Sequence, residues 1–355
     1  MFQLPLVFLC LKSGEKLTQL DLVIPGLCGP LPDIDRLDSK SIHALIAFLA
    51  RADQQTTKQK SFHEVLDSLF ALDQSKPFPA AALSLLASGQ YTEHGFWFHV
   101  DPVHLQADMD HAILRDTHGL DLTQQESESL LEELNAHFKD DGIRFLMADK
   151  DRWFLNISDH EKVSTTPLNE VISRNVYSFM PEGEDALFWK KFMNEVQMLM
   201  FQSQVNAQRE QNNKLPVNGV WLWGEGALPD RSELQSMEVY SQHPLLKGLS
   251  TLNNLNYHSM SGVKTFIEQV SNQENNLLVL DDLFNVTCYG DVMEWQSSFN
   301  ELYASWLEPL LAWAMKNKIK VNLHACNGVC YQIASHNRFR FFRNKKIENH
   351  IKTYE

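Results

Sequence analysis

Val263-Lys-Thr-Phe-Ile-Glu-Gln-Val270, the polar bridge Ser271 to Asn276, and Leu277-Leu-Val-Leu280-Asp281-Asp282 together decide the fold class. Val263, Phe266, Ile267 and Val270 fall at helical spacing and predict one apolar helix face. Leu277 to Leu280 is too short for a helix and wholly apolar, the pattern of a strand buried on both faces. The same unit recurs outward along the chain. Leu20 to Ile24 is a short apolar run ending at Pro25-Gly26, and Asp38 or Ser39 can cap a helix carrying Ile42, Leu45, Ile46 and Leu49. A long helical stretch covers about 185 to 210, and Gly219 to Trp223 reads as a strand entering the turn Gly224-Glu225-Gly226. A helix from about Val292, interrupted by Pro309, leads into a last strand at Ile319 to Leu323. Strands alternating with helices predict an α/β fold, a doubly wound and mostly parallel sheet covered on both faces. Ligands of such sheets sit beyond the carboxyl ends of the strands. That rule gathers Pro25 to Cys28, Gly224 to Gly226, Asp281-Asp282 and His324 on one rim.

From about Trp97 the texture differs. Phe96 to Val100 and Ala112 to Leu114 read as strands around the turn Asp108-Met109-Asp110. Thr123-x-x-Glu126 is a capping box opening a helix with Leu130, Leu131, Leu134 and Phe138 inward. Gly142 closes that helix, Pro79 suits the first turn of another that Gly89 stops, and strands at Ile143 to Met147 and Trp153 to Ile157 follow. The expected organisation is therefore an α/β domain from 1–89 and 163–355 with a smaller α+β domain inserted at 90–162.

Bulk properties narrow the function. The 355 residues suit two domains, and 31 Lys and Arg against 45 Asp and Glu leave a formal charge of −14, which repels phosphate backbones. Neither a nucleic-acid nor a membrane partner is expected. The apolar opening run Met1 to Leu11 has no basic flank or cleavage site and reads as a buried strand or appended edge segment. Cys10, Cys28, Cys288, Cys326 and Cys330 are odd in number and scattered, which fits free thiols in the cytoplasm.

Four segments, in order, carry a resemblance. Val205-Asn206-Ala207-Gln208-Arg209, Pro216-Val217-Asn218 and Trp221-Leu222-Trp223-Gly224-Glu225-Gly226 resemble a Val-Asn-x-x-Arg, Pro-Ala-Asn and Arg-Gly-Ala-Gly series. Leu122 to Glu126 with Arg152-Trp153, then Pro244 to Leu249, then Leu277 to Asp291 resemble three further family segments. The family is that of the archaeal-type cofactor-independent phosphoglycerate mutases of the alkaline phosphatase superfamily. Closer still is the texture of proteobacterial proteins labelled RpfE-type regulators, which share Asp101-Pro102-Val103-His104-Leu105 and Trp221-Leu222-Trp223-Gly224.

The resemblance implies two divalent metals, a serine nucleophile and arginines gripping phosphate, since paired cations offset charge on attacking and leaving oxygens. Yet the implied ligand positions read Pro25, Phe284, Cys288 and Leu323, leaving Asp291 and His324; no Gly-Ser-Asp nucleophile signature is present, and Ser68, at a plausible distance, sits in a helical context. Trp223 stands where the family has an arginine, an aromatic wall for a charged fork. The expectation is a degenerate relative without cofactor, which binds a protein partner or a small phosphorylated or carboxylate metabolite through Arg152, Asn206, Arg209, Trp223 and Glu225. In that case the guanidinium groups face a crevice between the domains. The alternative is an active phosphatase or mutase holding Mn or Zn on Asp281, Asp282, Asp291 and His324.

Each residue group has a plainer reading. His99, Asp101, His104, Asp108, Asp110 and His111 are dense enough for a metal, but alternation places them on the solvent face and turn of a hairpin. His324-x-Cys326-x-x-x-Cys330 could hold zinc with Cys288 or His336, or be buried thiols at a strand end. Asp281-Asp282 could cap the next element, Asn206 and Arg209 could brace the Gly224 loop, Trp221 and Trp223 could be core, and Arg338 to Lys346 could be a solvated basic edge.

Overall fold

The computed structural model describes residues 19–353, apart from 92–94, 109–110, 117–118, 159–160, 233, 235, 271–274, 341–342 and 344–345. Met1 to Leu11 and part of the Asp108-Met109-Asp110 turn lie outside the described residues. The chain divides into two compact units. One takes the chain to Leu66 with Glu233–Leu246 and Asn254 onward; the other takes Asp67–Ser232 and Lys247–Asn253.

The first unit is built on a seven-stranded sheet. Its order is Asn256–His258, Glu238–Tyr240, Asn276–Val279, Gln19–Val23, Lys320–His324, Val329–Ile333 and Asp53–Thr56. The first five strands are parallel and Val329–Ile333 alone runs against them, pairing antiparallel with the strand on each side, so the sheet is mostly parallel as the alternation of elements requires. Leu22 lies beside Leu278 and Leu323, and Val23 beside Val279 and His324. Leu20, Leu22, Leu278, Val321 and Leu323 turn one sheet face into the core. There they meet Ile42, Leu45, Ile46 and Leu49 of the helix Lys40–Arg51, and Phe266, Trp295 and Phe299. Ser39 caps that first helix by accepting a hydrogen bond from Ile42 N at 3.2 Å. Strand alternation sends Asp21, Asn322 and His324 to the opposite face.

In the second unit the 13-residue strand Phe96–Asp108 pairs antiparallel with Arg152–Ile157, His111–Arg115 and Gly219–Gly226, and Arg144–Asp149 completes the sheet. Trp97, Trp153, Trp189 and Trp221 are buried. The capping box forms as the sequence predicts, with Thr123 N donating to Glu126 at 2.8 Å and Glu126 N to Thr123 Oγ1 at 3.2 Å.

One expectation fails here. Gly219 to Trp223 does not join the sheet of Leu20 to Ile24; it runs antiparallel to Phe96–Asp108, with His99 opposite Trp223 and Asp101 opposite Trp221. A strand buried on both faces reads the same in either kind of sheet, and the long apolar strand supplies the partner. The second unit accordingly exceeds the 90–162 expected of it, taking in the helix Ala80–Ser88 and the helices of 186–211. Gly224 to Gly226 thereby ends a strand of the second unit's sheet. Among the described residues no helix is long and apolar enough to cross a membrane.

Candidate functional site

The carboxyl ends of the parallel strands in the first unit form the candidate site. After Gln19–Val23 the chain turns at Pro25-Gly26, with Gly26 at φ +80°, a conformation glycine adopts without strain. A side chain on Gly26 would strike Thr287 Oγ1 and stand 2.7 Å from Leu283 O. The Gly26 carbonyl accepts from Trp295 Nε1 at 3.0 Å and from Thr287 Oγ1 at 3.3 Å, which seals this turn against the helix Phe284–Tyr289. Phe284 packs edge-on to Phe62 at 5.2 Å, and Phe62 in turn faces His243 at 5.1 Å. Burial and the neighbouring His243 push the His63 imidazole down to about 3. Cys288 donates to the Phe284 carbonyl at 3.1 Å.

Asp291 is an N-cap. Its Oδ1 accepts from Met293 N at 2.8 Å and Glu294 N at 3.0 Å, starting the helix Val292–Leu302. Asp281 and Asp282 follow the Asn276–Val279 strand, and burial raises both carboxyls above their usual range. His324 Nε2 lies 3.3 Å from Asp21 Oδ1, and Asn322 Nδ2 donates to the same oxygen at 2.9 Å. Burial opposes charge on His324, but hydrogen bonds to Asp21 and Cys330 outweigh it and lift the imidazole to about 9. Among the described residues no three His, Cys, Asp or Glu side chains gather so as to hold a metal ion. The donors present therefore do not fit the two-metal centre that the resemblance implies. Ser68 is exposed on the helix Phe62–Leu69.

The expected anion ligands Arg152, Asn206, Arg209, Trp223 and Glu225 all belong to the second unit. Arg209 is 1% exposed; it pairs with Glu126 at 2.8 Å and donates to the carbonyls of Leu215, at 2.8 Å, and Leu120. Asn206 donates to Met200 O at 2.7 Å and Val217 O at 2.8 Å and accepts from Val217 N at 2.8 Å. Both brace the turn before Gly219. Arg152 lies 3.8 Å from Asp149 as a partly exposed ion pair across a hairpin end. Glu225 is buried and accepts from Thr165 N at 3.1 Å and from the Thr165 hydroxyl, and burial raises its carboxyl.

Trp223 stacks on His99 at 4.2 Å and 9° and donates from Nε1 to Asp101 at 2.6 Å. His99 Nε2 lies 3.2 Å from Ser84 Oγ. His99 and Asp101 are 3% and 6% exposed, so the solvent-face reading of this strand is wrong at those positions. The strand is longer than read and is paired along both edges, which alternation alone cannot reveal. Burial drives the Asp101 carboxyl up to about 7. What joins His99 and Asp101 to Ser84 and Trp223 is tertiary packing; the sequence shows the His-x-Asp spacing, which puts both side chains on one strand face. His104 bonds Pro216 O at 2.9 Å, and His336 lies near Asp53 rather than near His324. The basic tail is tied to the edge strand Asp53–Thr56: Arg340 pairs with Asp53, and Arg343 donates to Ala52 O at 2.7 Å.

The first unit is thus a mostly parallel α/β sheet whose rim carries an acidic pair and a histidine. No protein-family model matches the chain. The 2,3-bisphosphoglycerate-independent phosphoglycerate mutase of Methanosarcina mazei is 22% identical over 166 residues, 45% of this chain and 42% of that protein. The corresponding mutase 2 of Methanothermobacter thermautotrophicus is 26% identical over 147 residues, 41% of this chain and 35% of that one. The matched stretch thus spans about two fifths of the curated relatives' length. A cofactor-independent phosphoglycerate mutase from Thermoplasma acidophilum superposes at TM-score 0.40 and 15% identity over 89% of each chain. A Pyrococcus horikoshii protein superposes at TM-score 0.46 and 12% identity, covering 90% of this chain and 87% of that one. The chain is a distant homologue of the cofactor-independent phosphoglycerate mutases.

Proposed function

We propose that this chain is a phosphoglycerate mutase-like protein of the cytoplasm that has lost two-metal catalysis and acts by binding, in the regulatory manner of the RpfE-type proteins. The carrying observation is that the implied ligand positions hold Pro25, Phe284, Cys288 and Leu323, while the surviving Asp291 caps a helix. A small anion loses its expected grip because Arg209 is committed to Glu126 and two carbonyls. A protein partner is favoured instead by the helix Ala186–Gln202, where Leu187, Met198 and Phe201 lie along one side at 65%, 66% and 87% exposure. The test is elemental analysis of protein purified from manganese- and zinc-supplemented cells, followed by a phosphoglycerate interconversion assay. The expected result is no stoichiometric metal and no turnover. Two metals per chain with manganese-dependent turnover would establish the alternative, an enzyme using Asp281, Asp282, Asp291 and His324.

A further inference from the structure

We propose that the helix Ala186–Gln202 is a self-association surface, along which two copies of this chain pair antiparallel with Asn194 on the two-fold axis. The inference rests on the reading that the protein acts by binding a protein partner, and it names that partner as a second copy.

The helix carries apolar residues on two faces, where an ordinary surface helix has one apolar stripe. Trp189, Phe192, Val196 and Met200 are buried in the second unit. Leu187, Lys191, Asn194, Met198 and Phe201 are all exposed, and they follow one another at the alternating four- and three-residue steps of a coiled-coil seam. The seam reads alike from either end, because Leu187 and Phe201 each stand seven residues from Asn194. In an antiparallel pair centred there, Leu187 of each copy meets Phe201 of the other. Asn194 meets its own copy, and an amide, being both donor and acceptor, complements itself. A lone polar residue of this kind in a seam fixes the register.

Charge favours the same helix as the occupant. Lys191 and Glu195 lie one turn apart on one flank, where His137 holds Glu195 at 2.7 Å. A two-fold axis between antiparallel helices lays that flank of each copy beside the same flank of the other. Lys191 then stands about 3 Å along the axis from Glu195 of the second copy, and the pair occurs twice. A parallel arrangement would instead crowd Lys190 and Lys191 of both copies together. The chain as a whole carries a formal charge of −14, but this helix holds two lysines and one glutamate, so copies approaching here escape the repulsion felt elsewhere. Its 17 residues fall below the roughly 20–30 a side of a standard interface, which makes the dimer reversible and of micromolar strength.

The test is sedimentation of the full chain from about 1 to 100 μM, which should show a reversible monomer–dimer equilibrium in that range. Leu187→Ser and Phe201→Ser should each weaken it at least about tenfold, with circular dichroism unchanged because both side chains are exposed. Lys191→Glu alone should weaken it several-fold, and adding Glu195→Lys should restore it. Under mild oxidation Asn194→Cys should cross-link into a covalent dimer. Gln202→Cys should not, because its two copies lie about 24 Å apart along an antiparallel pair. A chain that stays monomeric throughout overturns the proposal, as does a dimer that the serine substitutions and the charge swap leave unchanged, or one that cross-links equally through both cysteines. Neither result alters metal content or turnover, by which the loss of catalysis is judged separately.

Discussion

Arg209 shows how far a single residue can change meaning between chain and fold. In the sequence it is an arginine in a Val-Asn-x-x-Arg motif that carries a family resemblance; in the structure its guanidinium joins Glu126, Leu120 and Leu215. Nothing local in the sequence marks that role, because Glu126 and Leu120 come from a distant segment and salt bridging is decided by tertiary packing. Asp101 shows the opposite case, a carboxylate whose environment has a measurable consequence. Its carboxyl moves from an ordinary value of 3.8 to about 7 because burial disfavours the charged form, while the Trp223 indole partly compensates. The folded protein thus holds a proton here that the unfolded chain has released above pH 4. Stability from this group is full below about pH 4 and is lost as pH rises through 7, on the order of 4 kcal/mol in all. Asp101→Asn keeps the indole acceptor and removes the titration. In urea denaturation the variant should gain relative to wild type by several kcal/mol between pH 5 and pH 8; an unchanged difference between the two pH values would refute this account of Asp101.

Elements were legible where local chemistry decides them. Ser39 and Thr123 cap the helices assigned to them, and Gly89 and Gly142 close helices at φ +75° and +70°. Pro309 sits in the first turn of Glu308–Lys316, reached from Val292–Leu302 through a π-helical turn at Tyr303–Leu307 rather than by a break. What was not legible is pairing: the polar edge strand Asp53–Thr56 needs no apolar pattern, and Gly219–Gly226 is apolar enough for either sheet. The Leu-Lys-Gly segment, read first as a family signature, has a packing cause. Gly248 on the helix Pro244–Asn253 is buried against the backbone of Leu83 on Ala80–Ser88, where an added Cβ would overlap the Leu83 carbonyl. Gly248→Ala should therefore cost about 1–3 kcal/mol in thermal or chemical denaturation. The neighbouring exposed Lys247→Ala should stay within about 0.5 kcal/mol. Equal effects from the two would mean that the glycine is there for some reason other than contact.

A two-metal centre is a property of the whole rim, since its ligands must arrive together from several strand ends. Here the strand-end turns and helices hold Pro25, Phe284 and Cys288, and Gly26 is locked by Trp295 and Thr287. The candidate ligands that remain are dispersed: Asp281 and Asp282 stand beyond Asn276–Val279, Asp291 caps a helix N-terminus, and His324 is engaged with Asp21. A formal charge of −14 will still attract divalent cations diffusely, so magnesium is the necessary comparison. A cation bound only by the folded state stabilises it by about 2.7 kcal/mol at a hundredfold excess over its dissociation constant. At roughly 2–4 °C per kcal/mol for units of 150–250 residues, a retained micromolar site would raise the melting temperature by several degrees. Melting the chain in manganese, zinc or magnesium should instead give shifts that agree within about 1 °C, the diffuse effect alone. A manganese-specific rise of several degrees, abolished by Asp281→Asn or His324→Gln, would mean that the dispersed donors do converge on a metal, and the loss of catalysis would have to be abandoned.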